Sequence, residues 1–221
     1  MSKAIPPVST ASSRIYETLR KDLVNGQFAA GEKLAINALK EQYQVGLSPL
    51  REALNKLAAY GLLIQENQRG FKVPTLSRKE LDDIAQMRLE LEGMALERAI
   101  AQGDAAWEAD LLGAAHRLKR ADISLDKGEE WEQLHTQFHR TLVAPCGSVW
   151  LLRFIEQLHD QFDRYRRLGP KMPAIRQELD EQHHALVALA LKRDSQAARQ
   201  LMDEHIHTSY EVALARYQEH A

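Results

Sequence analysis

The stretch QVGLSPLREALNKLAAYGLL, residues 44–63, decides the fold of the first part of the chain. Its buried face is predicted from four apolar residues that recur at helical spacing: Leu50, Ala53, Leu54 and Leu57. Ser48 is a favourable N-cap, Pro49 suits the first helical position, and Gly61 is expected to end the helix. The sequence therefore predicts an amphipathic helix that begins directly after Ser48.

Shorter elements surround this helix on both sides. Helices are predicted at residues 14–25 and 36–43, a turn at 29–34, and two short β segments at 62–65 and 70–74. Three helices followed by a β hairpin make a winged helix-turn-helix, whose last helix enters the major groove of DNA. We therefore expect residues 1–13 to form a flexible tail and residues 14–74 to form a DNA-binding domain.

The predicted DNA-binding domain carries polar residues where contacts are needed. Ser48 and the free amides at the start of its helix can face a phosphate, and Arg51 can reach a base edge or a phosphate. On the wing, Gln68, Arg69 and Lys72 are placed to hold the protein in register on the DNA backbone. The alternative is that the helix only packs in a core and that Arg51 is a solvated charge.

Composition and charge divide the chain in two. Residues 1–76 carry ten Lys and Arg against six Asp and Glu, whereas residues 77–221 carry nineteen against twenty-five and all nine histidines. This asymmetry predicts two domains with different partners, the basic one suited to nucleic acid. The single cysteine, Cys146, excludes an internal disulfide and fits a cytoplasmic protein. No apolar run approaches the roughly 20 residues that span a bilayer, so no membrane partner is expected.

The second part of the chain has the pattern of a helical bundle. After a linker at residues 75–77, Ser77 and Glu80 form a capping box that starts a helix ending near Gly103. Further helices are predicted at residues 104–125, 129–144, 149–168, 173–192 and 195–218. We therefore predict that residues 78–221 form an antiparallel all-α bundle of six or seven helices, which makes the protein mainly α.

The histidines of the bundle have the spacing of metal ligands. His135 and His139 lie four residues apart in LHTQFHRTL, residues 134–142, so both rings leave one face of a helix. His183 and His205 lie beside apolar residues on two later helices. Buried imidazoles need partners, and convergent imidazoles suit Zn, Ni, Cu or Fe. The alternative is that all four are surface or hydrogen-bonded histidines.

The segments AGEKL, SPLREAL, GL and GF within residues 30–73 resemble the DNA-binding domain of the GntR family of bacterial transcription regulators. The resemblance implies DNA contacts from the positions of Ser48, Arg51 and Gly70. Two positions depart from the family pattern, because Leu47 and Asn37 stand where many relatives carry arginine. The candidate DNA-binding residues are Asn37, Ser48, Pro49, Arg51, Gln68, Arg69, Gly70 and Lys72.

Residues 80–215 resemble the FCD ligand-binding domain of one GntR subclass, through MRLELEGMALERAI, WEQLHTQFHRTL, EQHHALVALALKRD and ARQLMDEHI. Many such domains hold a metal with an Asp, a His four residues later, and two further histidines. His139, His183 and His205 match the three histidines in order, whereas His135 stands in place of the Asp. The resemblance therefore implies a divalent transition metal, zinc or nickel in the first instance, held by four neutral imidazoles.

The same resemblance implies a ligand beside the metal. Arg88 matches a family arginine that faces the pocket, and its guanidinium can grip a carboxylate bidentately. Glu92, four residues later, is included in the candidate ligand site, although an Arg88–Glu92 salt bridge on the helix surface is the alternative. The overall pattern most resembles the carbon-starvation-induced regulators, which respond to dicarboxylates such as glutarate or 2-hydroxyglutarate.

The sequence thus predicts a DNA-binding transcription regulator, a repressor, that is not an enzyme. Its expected partners are double-stranded operator DNA, a small carboxylate effector and a second copy in a homodimer. A metal-dependent hydrolase and a helical protein-interaction module are the alternatives. The hydrolase would need a general base beside the metal, and the HxxxH helix carries no carboxylate within its motif.

Overall fold

A computed structural model describes residues 10–66, 70–121, 128–168 and 173–220. The first part contains three helices and three short strands in the order α1 Ala11–Val24, β1 Lys33–Leu34, α2 Ile36–Gln42, α3 Leu47–Ala59, β2 Ile64–Glu66 and β3 Gly70–Lys72. The strands form one antiparallel sheet in the order β1-β3-β2, with Lys72 opposite both Lys33 and Ile64. This is the winged helix-turn-helix that the sequence predicts.

Three details of this domain differ from the prediction. Gly46, not Ser48, is the N-cap of α3, so Ser48 and Pro49 lie inside the first turn. Pro49 is tolerated there because the first amides of a helix have no partner within the helix. The turn expected at residues 29–34 contains strand β1, and residues 11–13 of the expected tail already belong to α1, which Thr10 caps.

The end of α3 agrees with the prediction. Gly61 follows the C-cap Tyr60 with a φ of 88°, and the amide of Leu62 donates back to the carbonyl of Leu57 at 3.0 Å. This arrangement is the usual glycine-terminated helix end, in which a residue without Cβ adopts the left-handed region. It fixes where the chain leaves α3 and enters the wing.

Within the described residues, six helices make up the second part. Their bounds are α4 Arg78–Gln102, α5 Ala105–Arg120, α6 Gly128–Val143, α7 Val149–Arg166, α8 Pro173–Leu191 and α9 Ser195–His220. Ser77, Asp104 and Ser148 cap α4, α5 and α7 through their side chains. The six helices pack around one apolar core, which confirms the predicted all-α bundle.

The predicted capping box at the start of α4 is completed by Tyr165 of α7, which lies between Ser77 and Glu80. Ser77 Oγ accepts from the amide of Glu80 at 3.2 Å, as expected. The Glu80 carboxylate, however, accepts from the hydroxyl of Tyr165 on α7, and this hydroxyl accepts from the Ser77 amide at 3.1 Å. Tyr165 thereby ties the start of the bundle to α7.

Within the part of the chain that the structure describes, no helix combines the length and apolar character needed to cross a membrane. The one cysteine, Cys146, is a buried free thiol within the bundle core. A small apolar cluster around Phe162 and Tyr165 joins α4, α7 and α9 near the boundary between the two domains.

Candidate functional site

Four imidazoles from three helices converge inside the bundle. His135 and His139 lie on α6, His183 on α8 and His205 on α9, and one ring nitrogen from each lies within 4.8 Å of the others. Their ring centroids are 4.6–5.3 Å apart for the five pairs in contact. The structure therefore brings together all four residues that the sequence singled out as metal ligands.

The contacts of these rings indicate which nitrogens are available to a metal. His135 Nε2 and His139 Nε2 are 3.2 Å apart, and the buried Nδ1 of His139 has no hydrogen-bond partner among the described residues. His205 Nδ1 lies 3.0 Å from Gln182 Oε1, an atom that can only accept. This contact places the proton on Nδ1 and leaves the lone pair of His205 on Nε2, as a second residue does for many metal-bound histidines.

Burial keeps the imidazoles neutral. The pKa of His135, His139 and His205 is lowered well below its ordinary value, first by burial and then by the neighbouring histidines. Only a neutral imidazole can donate a lone pair to a metal. The residues therefore fit a borderline dication such as Zn²⁺ or Ni²⁺, which prefers nitrogen ligands, better than Mg²⁺ or Ca²⁺.

Arg88 and Glu92 lie next to this cluster as a buried ion pair. Arg88 Nε donates to Glu92 Oε1 at 2.6 Å, and both side chains are almost fully buried. The guanidinium also stacks on the ring of Phe162, 4.3 Å from its centroid. The i, i+4 salt bridge considered from the sequence is thus present, but it lies inside the protein and not on the helix surface.

His159 is the residue of this region that sequence reasoning missed. Its Nε2 lies 2.9 Å from Glu92 Oε1, and its ring is 5.7 Å from that of His139. Burial alone would raise the pKa of Glu92, but Arg88 and His159 hold it well below its ordinary value. Its spacing could have identified it: His159 lies four residues after Ile155 and three before Phe162, so it shares the helix face of these two buried apolar residues. The remaining histidines are exposed: His116, His184, His207 and His220.

A cavity of about 370 Å³ adjoins the imidazoles on the side of α7. His139 and His159 form the wall it shares with the histidine cluster, and Arg140 and Glu156 line its polar side. A second opening lies against Arg88, His135 and His205. A volume of this order matches those of small-molecule binding sites.

Arg20 also lines this cavity, although it belongs to helix α1 of the winged domain. Its guanidinium binds Asp160 on α7 through two hydrogen bonds of 2.6 and 2.8 Å, and it reaches Glu156 at 3.2 Å. The cavity thus touches the histidine cluster at one end and the first domain at the other.

The face of α3 that would meet DNA is exposed and polar. Ser48 and Arg51 are exposed, Pro49 is half-buried, and Asn37 is exposed on α2. Asn55 is exposed one turn after Arg51 on the same face, and the sequence reading had not selected it. An Asn side chain at such a position can read adenine in the major groove.

The wing is described only in part. Gly70 has a φ of 94° and faces open space, so its backbone conformation, not crowding, favours glycine. Lys72 is half-buried on β3, whereas Gln68 and Arg69 lie outside the described residues. The structure therefore describes the base of the wing but not residues 67–69 at its tip.

A winged helix-turn-helix followed by a helical bundle with an internal cavity defines the class of two-domain DNA-binding regulators. The model of bacterial regulatory proteins of the gntR family matches residues 11–73, and that of the FCD domain matches residues 83–208. The chain belongs to the GntR family and carries an FCD domain.

Two curated relatives cover most of the chain. The HTH-type transcriptional repressor GlaR of Escherichia coli (strain K12) is 39% identical over 200 residues, covering 87% of this chain and 91% of that protein. The uncharacterized HTH-type transcriptional regulator BphR of Paraburkholderia xenovorans (strain LB400) is 37% identical over 214 residues, covering 93% and 87%. Among solved structures, E. coli McbR/YncC has the same fold, with a TM-score of 0.82 at 24% identity over 97% of this chain and 100% of that one.

Proposed function

We propose that the protein is a transcriptional repressor whose affinity for its operator changes when a small organic acid binds beside a metal in the FCD domain. The observation that carries the proposal is the convergence of four imidazoles, three of them buried, beside a cavity that His139 shares with a residue of the winged domain, Arg20. A relative 39% identical over most of the chain bears the name of a repressor, which supports the direction of the effect.

The metal would be held by His135, His139, His183 and His205. Because all four ligands are neutral, the ion keeps its full positive charge and would attract an anionic ligand to any open coordination position. Zinc and nickel suit this nitrogen set, and nickel and other metals that accept more than four ligands leave more room for a carboxylate oxygen.

The organic acid would bind between the metal and cationic side chains. One carboxylate would lie toward Arg20 and Arg140 in the cavity of about 370 Å³. A second could take the terminal nitrogens of Arg88, which lines the smaller opening and already uses its Nε to hold Glu92. Glu92 would act indirectly, because it holds both Arg88 and His159 in place. Dicarboxylates of four to six carbons are the first candidates, with glutarate and 2-hydroxyglutarate among them.

The DNA-binding surface would comprise Ser48, Pro49, Arg51 and Asn55 on α3, Asn37 on α2, and Gln68, Arg69, Gly70 and Lys72 on the wing. A homodimer would place two copies of α3 in successive major grooves, so that the operator is a near-palindrome. Replacing Arg51 with Ala should weaken specific operator binding tenfold or more. If Arg51 contacts a phosphate, the slope of log affinity against log salt concentration should also fall by about one.

An enzymatic role for the histidine cluster finds little support. Glu92, a buried carboxylate beside the cluster, is held by Arg88 and His159, and its lowered pKa makes it a poor proton acceptor. A hydrolytic metal site needs a base that can take a proton from bound water. A role as a transcription regulator also explains the winged domain, which a hydrolase would not need.

Gel-shift titration against the DNA upstream of the coding region tests the proposal. We expect saturable, salt-sensitive binding that one acid from a panel of C3–C6 carboxylates weakens at least tenfold, and only in metal-loaded protein. Binding that no acid alters would remove the effector from the proposal. The absence of any specific DNA complex would remove the proposal as a whole.

A further inference from the structure

Helix α7 lies between the histidine cluster and the winged domain and faces both. Ile155, His159 and Phe162 lie on the face toward the cavities and the bundle core. Gln157 and Arg164 lie roughly on the opposite face, because successive residues of a helix are about 100° apart, and Asp160 lies between the two faces and also borders the cavity. These three residues contact the first domain, as do Glu156 and Arg167, which bind Arg20 and Asn25.

Those contacts reach three different parts of the winged domain. Asp160 holds Arg20 on α1 through the two hydrogen bonds described above, and Asp160 is only 8% exposed. Gln157 Nε2 donates to the carbonyl of Tyr60, the C-cap of α3, at 2.8 Å. Arg164 donates to the carbonyl of Pro74 beyond the wing at 2.7 Å.

The close fit at the end of α3 strengthens this connection. A Cβ added to Gly61 would lie 3.2 Å from Gln161 Nε2, so α7 lies directly over the residue that ends α3. Because α7 is one continuous helix of 18 residues, its two faces move together. We therefore expect a displacement of α7 at His159 to move Gln157 and Asp160 as well, and with them their partners Tyr60 and Arg20.

We propose that Arg20 is a positioning residue through which the cavity beside the histidine cluster sets the pose of the DNA-binding helix α3. Arg20 lines that cavity, and its partner Asp160 does so as well. An anion in the cavity competes with Asp160 for the Arg20 guanidinium and releases α1 from α7. This inference rests on the proposed function, because it concerns how ligand occupancy reaches the DNA.

The burial of the pair makes the competition effective. A bidentate arginine–carboxylate pair with little exposure depends on both partners: Asp160 without Arg20 loses its cation in a poorly hydrated site, and Arg20 without Asp160 keeps the weaker contact with Glu156. Burial raises the pKa of Asp160, although Arg20 opposes this effect. A carboxylate ligand offers Arg20 the same chemistry as Asp160 does.

A double-mutant cycle tests the proposal in the full-length protein. We expect Arg20→Met and Asp160→Asn each to weaken operator binding tenfold or more in gel shifts, and the double variant to be no weaker than the single ones. The salt dependence should remain that of the wild type. Zinc binding, measured by calorimetry with Zn²⁺ alone, should be unchanged because the imidazoles are intact.

The matched control is another ion pair that joins two helices but does not face the winged domain. Arg193, beyond the end of α8, pairs with Glu108 on α5. Glu108→Gln should leave operator affinity within twofold of the wild type. Hydrogen exchange gives a readout that needs no DNA: Asp160→Asn should accelerate exchange in α1 and at the end of α3 but not in α6 and α9.

Two results would overturn the inference. One is wild-type operator affinity and wild-type exchange in Asp160→Asn. The other is a loss of affinity in Arg20→Met alone with a reduced salt dependence, because Arg20 would then be a phosphate contact. If the wild type binds no zinc, the metal in the proposed function fails, whereas the exchange data still decide whether the pair positions α3.

Discussion

At the scale of single residues, His183 and His184 offer a direct test of the metal centre. His183 is buried among the other imidazoles, whereas its neighbour His184 is exposed. His183→Ala should lower zinc affinity at least a hundredfold, because one of four ligands is lost, and His184→Ala should leave it within twofold. Calorimetric titration with Zn²⁺ measures both. Equal effects of the two substitutions would contradict the assigned ligand set.

The same imidazoles predict how stability depends on pH in the metal-free protein. His135, His139 and His205 have a pKa well below 6.5 in the folded state, whereas in the unfolded chain they titrate near 6.5. The unfolded state therefore binds more protons, and folding stability falls as the pH drops below 6.5. Well below pH 6.5, each histidine contributes at most about 1.4 kcal/mol per pH unit to this fall, or about 4 kcal/mol per pH unit for the three.

Urea unfolding with EDTA at pH 7.0, 6.0 and 5.0 measures this dependence. Glu92 stays ionised over this pH range, because its pKa is lowered, so it does not add to the measured change in stability. His205→Asn should reduce the slope by about a third, since one of the three groups no longer titrates. Stability that does not change between pH 7.0 and 5.0 would show that the rings are accessible to protons in the folded state.

Residue patterns predicted much of the site but not its surroundings. The HxxxH spacing and the apolar neighbours of His205 and the His183–His184 pair pointed to the rings that meet, and the resemblance to the FCD domain selected His183 over His184. The sequence could not show that Arg88 and Glu92 are buried, because α7 and α9 cover them only after the bundle has assembled. Asp160 was missed for the same reason: its partner Arg20 is 140 residues away in the chain.

At the scale of secondary-structure elements, a glycine just before α5 and a glycine inside it should respond differently to replacement by alanine. A Cβ at Gly103, just before α5, would lie 2.1 Å from Trp107, whose buried indole donates to the carbonyl of Thr141 at 2.9 Å. Gly103→Ala should therefore destabilise the protein by about 1–3 kcal/mol, the usual range for overpacking.

Gly113, inside α5, is the matched control. A Cβ there would approach only the flexible end of Arg117, at 3.3 Å. Gly113→Ala should be neutral or stabilise the protein by up to about 1 kcal/mol, because alanine favours a helix more than glycine does. Chemical denaturation of both variants measures the difference. A destabilised Gly113→Ala would show that α5 has less room than the structure indicates.

Most elements followed from periodicity, with exceptions at α5, β1 and the start of α3. The helix predicted at residues 104–125 ends at Arg120, where Ala121 adopts an extended backbone. Long amphipathic helices such as α4 and α7 were predicted within two residues at each end, because Ser77 and Ser148 are strong caps. Strand β1 has only two residues, too few for any alternation to appear. Ser48 was taken for the N-cap of α3 on residue type alone, but the chain already turns at Gly46.

At the scale of the whole molecule, metal binding should stabilise both domains together. Zn²⁺ at a hundredfold excess over its dissociation constant adds about 2.7 kcal/mol to the folded state. For a chain of this length, that corresponds to a rise in Tm of about 5–10 °C. Because α7 links the histidine cluster to Tyr60 and Arg20, we expect one unfolding transition that moves as a unit.

Differential scanning calorimetry with Zn²⁺ or EDTA checks this prediction, with His183→Ala as the variant that should not respond. Asp160→Asn should separate the transition into two, of which only the second-domain component shifts with zinc. Two independent transitions in the wild type would mean that the contacts of α7 with the winged domain contribute little to stability.

The three tryptophans are distributed unevenly, and their positions have a practical consequence. Trp107 and Trp131 are buried in the bundle, Trp150 is exposed at the start of α7, and the winged domain has none. The indole of Trp131 stacks on His135 with ring centroids 4.6 Å apart. Intrinsic fluorescence excited at the indole band will therefore respond to nickel or copper at the imidazoles through quenching, while DNA contacts at α3 stay optically silent.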